Sequence, residues 1–503
     1  MKQIKINLTT VFLIIVILFQ TGCTSDFDEM NINPNAAEIV PATNVLASAI
    51  VTSIGPIWDT RMNCYYTGAY SGMFGAADYE YRNSINDGMW NEMYRIMSIC
   101  HDAMLVAEKE QNDNIYAAAL TFNAFCAQLT TDCWGDIPYS EAFRLEESID
   151  FMYPHYDKQK DVYIKILEEL KEAADLFDDN GLPIGNGDFI FNGNISKWRK
   201  FCNSLRLRVA IRASSGELSV ATPTISEVLG NPSKYPVITG NEDNAYWWFP
   251  GRSPYYETWY NNGLKRDENG TKDNVTWRAQ QPFVDALQDN NDPRLSVYFD
   301  ANSRGEYAGH RFGPDERNTP VEYEGMGTTL WKATFGDRFT NDPAGFLPLM
   351  NCAEVYFCIA EAYLHGIGVQ ASDGNAKEAY EAGITASCLE NGISAADIDV
   401  FLGGQEVAWT TGATSKRDKI ALQKWIVLIK QSINAWAEVR RTDVPDLSQY
   451  VQEAYYRSHN RPPFRMAYSD SEKSLNPNFP NYINSVQYFW GDQLWWDKRA
   501  NVY

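Results

Sequence analysis

The most constraining feature of the chain is a helical repeat of apolar residues. Between residues 115 and 133, apolar side chains recur at steps of four and three, which places them on one face of a helix. This stripe consists of Ile115, Ala119, Phe122, Cys126, Leu129 and Cys133. The same spacing recurs in residues 157–177, 198–209, 353–364, 376–388 and 422–436. The pattern predicts an all-α fold.

The predicted helices form pairs separated by short polar segments, such as residues 366–375. Helix–turn–helix pairs of this kind are typical of tetratricopeptide-type repeats, whose period is about 34 residues. The match is degenerate, because no regular tandem array is visible. The sequence therefore predicts a scaffold of degenerate tetratricopeptide-like helix pairs with long loop excursions.

The helical pattern is interrupted at about residues 230–349, where Pro, Gly, Asn and Asp occur throughout. Loops of this length in a compact protein are usually functional. We expect a ligand-binding excursion from the scaffold and not a separate domain, since little regular pattern is available to build a second core. Residues 443–503 form a second excursion. The whole of residues 41–503 is predicted to be one helical domain.

The N-terminus has the pattern of a secretion signal. Lys2 and Lys5 precede an unbroken apolar stretch at residues 11–19, and Cys23 follows small residues. The apolar stretch is too short to cross a bilayer, which takes about 20 residues. It resembles a bacterial lipoprotein signal, so we expect a signal peptide at residues 1–22, lipidation of Cys23 and an acidic linker at residues 23–40. An ordinary signal peptide with an incidental Cys is the alternative.

Charge and cysteine positions exclude several classes of function. The chain of 503 residues has a net charge of −22, and removal of the signal leaves 41 basic against 65 acidic residues. Nucleic acid is therefore a poor partner. The nine Cys show no CxxC or Cys/His cluster, so we expect neither a redox motif nor a metal site. Cys126 and Cys133 lie about 10 Å apart along a helix, too far for a disulfide.

Two aromatic-rich loops are the candidates for ligand binding. The second loop, residues 246–260, has eight aromatic residues in fifteen, and the first loop, residues 65–81, interleaves aromatics with Gly. Such rings can stack on the apolar faces of sugars. The alternative is that they pack on the scaffold or against a partner protein. The candidate ligand-binding residues are Tyr66, Tyr70, Phe74, Tyr79, Trp247, Trp248, Tyr255 and Trp259.

Catalytic motifs do not emerge from the sequence. The five His form no HExxH, and Ser71 does not lie in a GxSxG elbow. Paired acids could hydrolyse glycosides, but 65 acidic residues make any pairing uninformative without geometry. A binding protein without a cofactor is therefore favoured over an enzyme.

Several short motifs occur in a fixed order along the chain. The motifs are WGDIPYSEA at 134–142, SKW at 196–198, NSLRLR at 203–208, NDPRL at 291–295, AEVYF at 353–357, AEA at 360–362, ALQKW at 421–425, AWAEVRRT at 435–442, PFR at 463–465, SE at 471–472 and WWD at 495–497. Each motif is weak alone, but their order and their occurrence with the lipoprotein signal are specific. Together they resemble the SusD/RagB-like family of outer-membrane nutrient-binding lipoproteins.

The resemblance implies a receptor without a catalytic role, anchored in the outer membrane and facing the exterior. It also implies that the protein captures a nutrient, most often a glycan oligomer, and closes as a lid over a SusC-like TonB-dependent transporter. A peptide-capturing receptor, a glycoside hydrolase and a structural envelope lipoprotein are the alternatives. For the motifs themselves we expect mainly structural roles, with Trp425 and Trp436 in the core and Arg440 and Arg441 bonded to carbonyls and carboxylates.

Overall fold

A computed structural model describes residues 40–502, apart from residue 60 and residues 76–78, 80–82, 271–277, 302–304, 310–333, 452–458 and 481–489. The predicted signal peptide, the lipid anchor at Cys23 and all but the end of the linker lie outside the described residues. Within the described part of the chain, no helix combines the length and the apolar character that a membrane crossing requires.

Helices form the scaffold, as predicted. In chain order the α-helices are α1 (Ala42–Thr52), α2 (Thr67–Tyr70), α3 (Asn83–Lys109), α4 (Asp113–Trp134), α5 (Gln159–Leu176), α6 (Ile195–Gly216), α7 (Leu218–Gly230), α8 (Gln281–Gln288), α9 (Leu295–Tyr298), α10 (Asp337–Thr340), α11 (Cys352–His365), α12 (Asp373–Glu390), α13 (Ala395–Leu402), α14 (Lys416–Val427), α15 (Ser432–Thr442) and α16 (Asp470–Leu475). Shorter π- and 3-10 turns lie at Ile54–Trp58, Arg61–Tyr66, Ile149–Met152, Asn241–Asp243 and Tyr260–Leu264.

Polar caps set the ends of the long helices. Asn112 begins α4 by accepting a hydrogen bond from the Ile115 amide at 3.1 Å, and Ser372 caps α12 in the same way. Such side chains satisfy amides that have no partner within the helix. Helix α11 ends at Gly366 with a φ of +65°, a left-handed conformation that Gly adopts at low cost. These caps separate consecutive helices, and α3 with α4, α6 with α7, and α11 with α12 pack as pairs.

Helix α4 lies at the centre of the core. All six residues of the stripe predicted from the sequence are buried, and so is most of the opposite face of this helix. Helix α4 packs against α3 and α5, with further contacts to α1, α6 and α15. A helix covered on all sides can be apolar all round, so its sequence stripe marks only part of the buried surface.

Ion pairs are buried between the scaffold helices. Arg208 Nε donates to Glu354 Oε1 at 2.6 Å, and both side chains are inaccessible to solvent. Glu438 accepts hydrogen bonds from Arg441 and Arg212, and Arg212 also bonds Asp132. Cations hold the pKa of Glu438 well below its usual range even though burial opposes them. A buried charge left without a partner is costly, so these ion pairs fix the relative positions of the helices.

The excursion at 230–349 contains short strands that the sequence does not predict. One antiparallel sheet has the order β1–β3–β5–β4, and a second sheet pairs β2 with β6. The strands are β1 (Phe74–Gly75), β2 (Ala245–Trp248), β3 (Arg278–Ala279), β4 (Phe299–Asp300), β5 (Thr334–Phe335) and β6 (Phe346–Met350). Strand β1 belongs to the first aromatic loop, so the first sheet joins that loop to the excursion.

Candidate functional site

Strand β2 carries one of the exposed rings of the second aromatic loop. It pairs with β6, with Trp248 opposite Phe346. Successive side chains of a strand point to opposite faces, so Trp248 shares a face with the buried Tyr246. Both faces of β2 are covered up to Trp247, which is 7% exposed and stacks on Phe249 with ring centroids 5.2 Å apart. Trp248, the last residue of the strand, is 56% exposed.

Aromatic and charged side chains lie beneath Trp248. Its ring centroid is 5.2 Å from that of Phe346, which stacks on Tyr246 at 4.7 Å. Tyr246 Oη and Arg338 Nη2 both donate to Glu390 Oε1, at 2.7 Å and 3.0 Å. Burial raises the pKa of the Glu390 carboxyl, and the nearby guanidinium opposes that shift. The exposed indole therefore rests on a fixed support with polar groups behind it.

Tyr255 is the second exposed ring of this loop. It is 62% exposed and follows a tight turn in which the Tyr255 amide donates to the Arg252 carbonyl at 2.6 Å. The turn packs on the return chain before β6, because a Cβ added at Gly251 would lie 2.8 Å from Ala344 Cβ. Gly251 has a φ of +68°, so this approach and this conformation both require Gly. We call Trp248 and Tyr255, with the residues that support them, the ledge.

The other six candidate residues are buried. Trp259 is fully buried and packs edge-on against Phe74, with centroids 6.0 Å apart. Tyr70 packs on Trp436 of α15, and Tyr79 packs on Trp490. Six of the eight candidates therefore pack within the protein, as the alternative interpretation expects: Tyr66, Tyr70, Phe74, Tyr79, Trp247 and Trp259. The remaining two, Trp248 and Tyr255, belong to the ledge. Ser71 is buried too, with its hydroxyl bonded to the Gly68 carbonyl.

Hydrogen bonds hold both aromatic loops to the connector between α14 and α15. Lys430 in this connector donates to Glu257 Oε1 of the second loop at 3.0 Å. Asn63, just before the first loop, donates to the Lys430 carbonyl at 2.8 Å and accepts from the Ser432 amide at 3.1 Å. The two loops, about 170 residues apart in sequence, are thereby held at one place on the scaffold.

Sequence reasoning missed the residues that support the ledge. Arg338, Phe346 and Glu390 come from the end of the excursion and from α12, far from Trp248 in sequence. Glu257 and Lys430 carry no motif at all. The available signal was Lys430 itself, a charged residue in a short connector between two largely buried helices, but such residues usually face solvent.

A second surface carries exposed apolar side chains. Leu145, Ile149, Met152 and Tyr153 are all exposed within nine residues of chain. Exposed Leu475 lies next to them, because the following Asn476 donates to the Pro154 carbonyl at 3.0 Å. Several exposed apolar side chains close together in the chain make this region a candidate interaction surface. We call these five side chains the apolar patch.

Three cavities lie away from the ledge. One of about 560 Å³ lies between α5 and α7, one of about 290 Å³ lies beside Arg441, and one of about 210 Å³ lies beside Lys419. None of the three is lined by Trp248 or Tyr255. A small cavity of about 20 Å³ lies beneath the ledge, among residues that include Phe346 and Glu390. Among the residues that the structure describes, no three His, Cys, Asp or Glu side chains are grouped so as to hold a metal ion.

Residues 34–469 match the family model SusD-like, described as starch-binding and associating with the outer membrane. The chain therefore belongs to the SusD-like family, which confirms the resemblance drawn from the sequence motifs. With this membership it is a non-catalytic binding protein. No curated protein matches the sequence.

Solved structures of the family share the fold. A SusD-like protein from Bacteroidetes has a TM-score of 0.72 at 24% identity, covering 92% of this chain and 100% of its own. A chitin-binding SusD homologue from Flavobacterium johnsoniae has a TM-score of 0.72 at 20% identity, again covering 92% and 100%. A SusD homologue from Bacteroides fragilis has a TM-score of 0.70 at 21% identity with the same coverage. The TM-scores establish the shared fold, and the all-α scaffold is confirmed.

Proposed function

We propose that the protein is a cell-surface lipoprotein that binds glycan oligosaccharides through the ledge. The observation that carries this proposal is the exposure of Trp248 and Tyr255 in a chain that buries its other candidate rings. An exposed large ring is free to stack on the C–H face of a sugar. Arg338 and Glu390 lie behind the Trp248 ring and bond each other, so the stacking surface itself carries the proposal.

Starch and chitin fragments are the first ligands to test. The family description names starch, and one structural relative is described as chitin-binding. Both polymers present repeated apolar sugar faces, which suit two exposed rings. A peptide is the second candidate, because exposed aromatic side chains also contact peptide side chains.

Calorimetry on the soluble chain beginning after Cys23 tests this proposal. Maltoheptaose, chitohexaose and an unstructured peptide mixture are titrated into the wild type and into Trp248→Ala. We expect one oligosaccharide to bind and Trp248→Ala to weaken that binding by about 1–3 kcal/mol, as for other stacked ligands. Binding of peptides alone would favour the peptide receptor. Equal glycan binding by both proteins would refute the role of the ledge.

We also propose a SusC-like TonB-dependent transporter as partner, with the protein acting as its lid. The apolar patch supports a partner surface of some kind, since nothing in the described chain covers it. Replacing Ile149 and Met152 by Ser should abolish co-purification with a transporter expressed alongside, without lowering the melting temperature. Val400→Ser, at an isolated exposed site on α13, is the control. Undiminished co-purification of the patch variant would contradict the assignment.

Anchoring through Cys23 accounts for the proposed location on the outside of the outer membrane. Cys23→Ala should move the protein from the membrane fraction to the soluble fraction in cells that lack the transporter. The physical reason is that acyl chains supply the affinity, and a single chain alone binds only marginally. Membrane association that survives the substitution would rule out the lipid anchor.

A further inference from the structure

We infer that the buried ion pair of Lys430 and Glu257 positions the ledge. These two residues do not touch a ligand; they fix the backbone that carries Tyr255 and Trp248. This inference rests on the proposed glycan binding, and it assigns to the pair a role in affinity that differs from a role in folding alone.

Glu257 fixes the conformation of the second aromatic loop. Its carboxylate is fully buried, and besides Lys430 it accepts hydrogen bonds from the Tyr260 amide at 2.8 Å and from Thr258 Oγ1 at 3.1 Å. The Glu257 amide donates to the Pro343 carbonyl at 3.0 Å. One residue thus orders the chain on its C-terminal side and ties it to the segment before β6. Tyr255 lies only two residues before it.

Lys430 fixes the other support of the ledge. Its Nζ donates to the Phe346 carbonyl at 3.0 Å as well as to Glu257, and it lies 4.6 Å from the centre of the Trp259 ring. Phe346 is the ring on which Trp248 rests. The ammonium therefore sets the distance between the strand under Trp248 and the turn that carries Tyr255.

Burial of this ion pair contributes little to the free energy of folding. Desolvation of two charges offsets most of their attraction, and apolar or neutral replacements of whole pairs are often tolerated. The best-attested use of buried polar pairs is to specify one geometry among several. Here the pair lies where three segments of irregular chain meet, which is where geometry is least determined by helix packing.

The test removes both charges together. In Glu257→Gln with Lys430→Met, the Gln side chain can still accept from the Tyr260 amide, while neither partner is left as a lone buried charge. Arg294→Met with Asp292→Asn is the matched control, because that pair is equally inaccessible and contacts Ser387 and Gln423 of the scaffold. Melting temperature, affinity for maltoheptaose and chitohexaose, and hydrogen exchange are measured for each.

We expect the Glu257/Lys430 double variant to bind the oligosaccharide at least about tenfold more weakly while it melts no earlier than the control variant. Its hydrogen exchange should accelerate within residues 249–260 and not in α4. The control variant should bind like the wild type. Wild-type affinity in the Glu257/Lys430 variant, or a loss of affinity that only follows lost stability in both variants, would overturn the inference.

Two further outcomes of the experiment also test the inference. If the double variant does not fold, Lys430→Arg keeps the charge but shifts the donor, and the same comparison of affinity with melting temperature applies to it. If the wild type binds neither oligosaccharide, the proposed function fails, but hydrogen exchange still decides the positioning role. Unchanged exchange in residues 249–260 would then reject it.

Discussion

The two aromatic-rich loops have similar aromatic content and different surfaces. In the first loop Tyr66, Tyr70, Phe74 and Tyr79 are all buried, whereas the second loop exposes Trp248 and Tyr255. The helical turns of the first loop pack against α15, and its strand β1 is buried. In the second loop, β2 is buried on both faces up to Trp247, and the exposed rings lie at the end of the strand and after the turn that follows it. The cover that other elements provide, and not aromatic content, decides which rings reach solvent.

The buried parts of the loops support one another. Phe74 of the first loop packs on Trp259 of the second and on Phe283 of α8. The two loops therefore share one apolar cluster, and the exposed rings of the second loop stand on a base that the first loop helps to form.

Loss of the shared cluster should have the largest effect. Trp259→Ala should lower the free energy of unfolding by about 3–5 kcal/mol, as for other buried Trp residues. Denaturant unfolding gives this value. Because Trp259 and Phe74 are in contact, the double variant with Phe74→Ala should cost less than the two single changes added together. Additive losses would show that the loops are energetically independent.

Substitutions in the helices give stability losses with which those of the loop variants can be compared. Leu167→Ala, at a buried position of α5, should cost roughly 2–4 kcal/mol. Leu422→Ala in α14 should cost less, since Leu422 is only half-buried. Thermal melts of both variants check the order. An unchanged melting temperature in Leu167→Ala would contradict the placement of that helix face.

The neighbours Trp247 and Trp248 give the sharpest contrast within one loop. Trp247→Ala should lower stability by about 2–4 kcal/mol because its ring is buried. Trp248→Ala should leave stability within about 1 kcal/mol and instead weaken glycan binding by about 1–3 kcal/mol. Parallel melts and calorimetry separate the two effects. Equal loss of stability in both variants would contradict the different exposure of the two rings.

Tyr255→Ala should have the smallest effect. Stability should change by no more than about 0.5 kcal/mol, as for other exposed sites. Affinity for the oligosaccharide should fall by about 1 kcal/mol, at the lower end of the range for a stacked ring. Tyr255→Phe is the control, since it keeps the ring and removes only the hydroxyl. A loss that Phe reproduces in full would assign the contact to the hydroxyl.

The helical scaffold could be predicted from the sequence because its signals are local. The stripe from Ile115 to Cys133 and the caps at Asn112 and Ser372 act within a few residues, so one stretch of sequence contains each of them. Trp425 and Trp436 lie in the core, as expected from their spacing. Arg440, within α15, donates to the carbonyls of Asp132 and Phe464, and Arg441 bonds the carboxylates of Glu361 and Glu438, as expected for these two cations.

The ledge could not be predicted in the same way because its determinants are distant in sequence. Trp248 rests on Phe346 of β6, which follows about 100 residues later. No residue near Trp248 indicates that β6 is the strand that pairs with β2. An aromatic run without a clear period is equally consistent with burial and with exposure. The burial of Glu257 depends likewise on Lys430, which follows 173 residues later.

Burial of the cysteines has a consequence for the proposed export of the chain. Cys100, Cys126, Cys133, Cys202, Cys352, Cys358 and Cys388 are free and buried, and burial raises the pKa of the Cys202 thiol to about 12 and that of Cys358 to about 11. The thiolate is the species that attacks disulfides, so the folded protein keeps these sulfurs away from oxidants. Unfolding would expose them. Under the proposed export, folding that is faster than oxidation would protect the chain from mispaired disulfides.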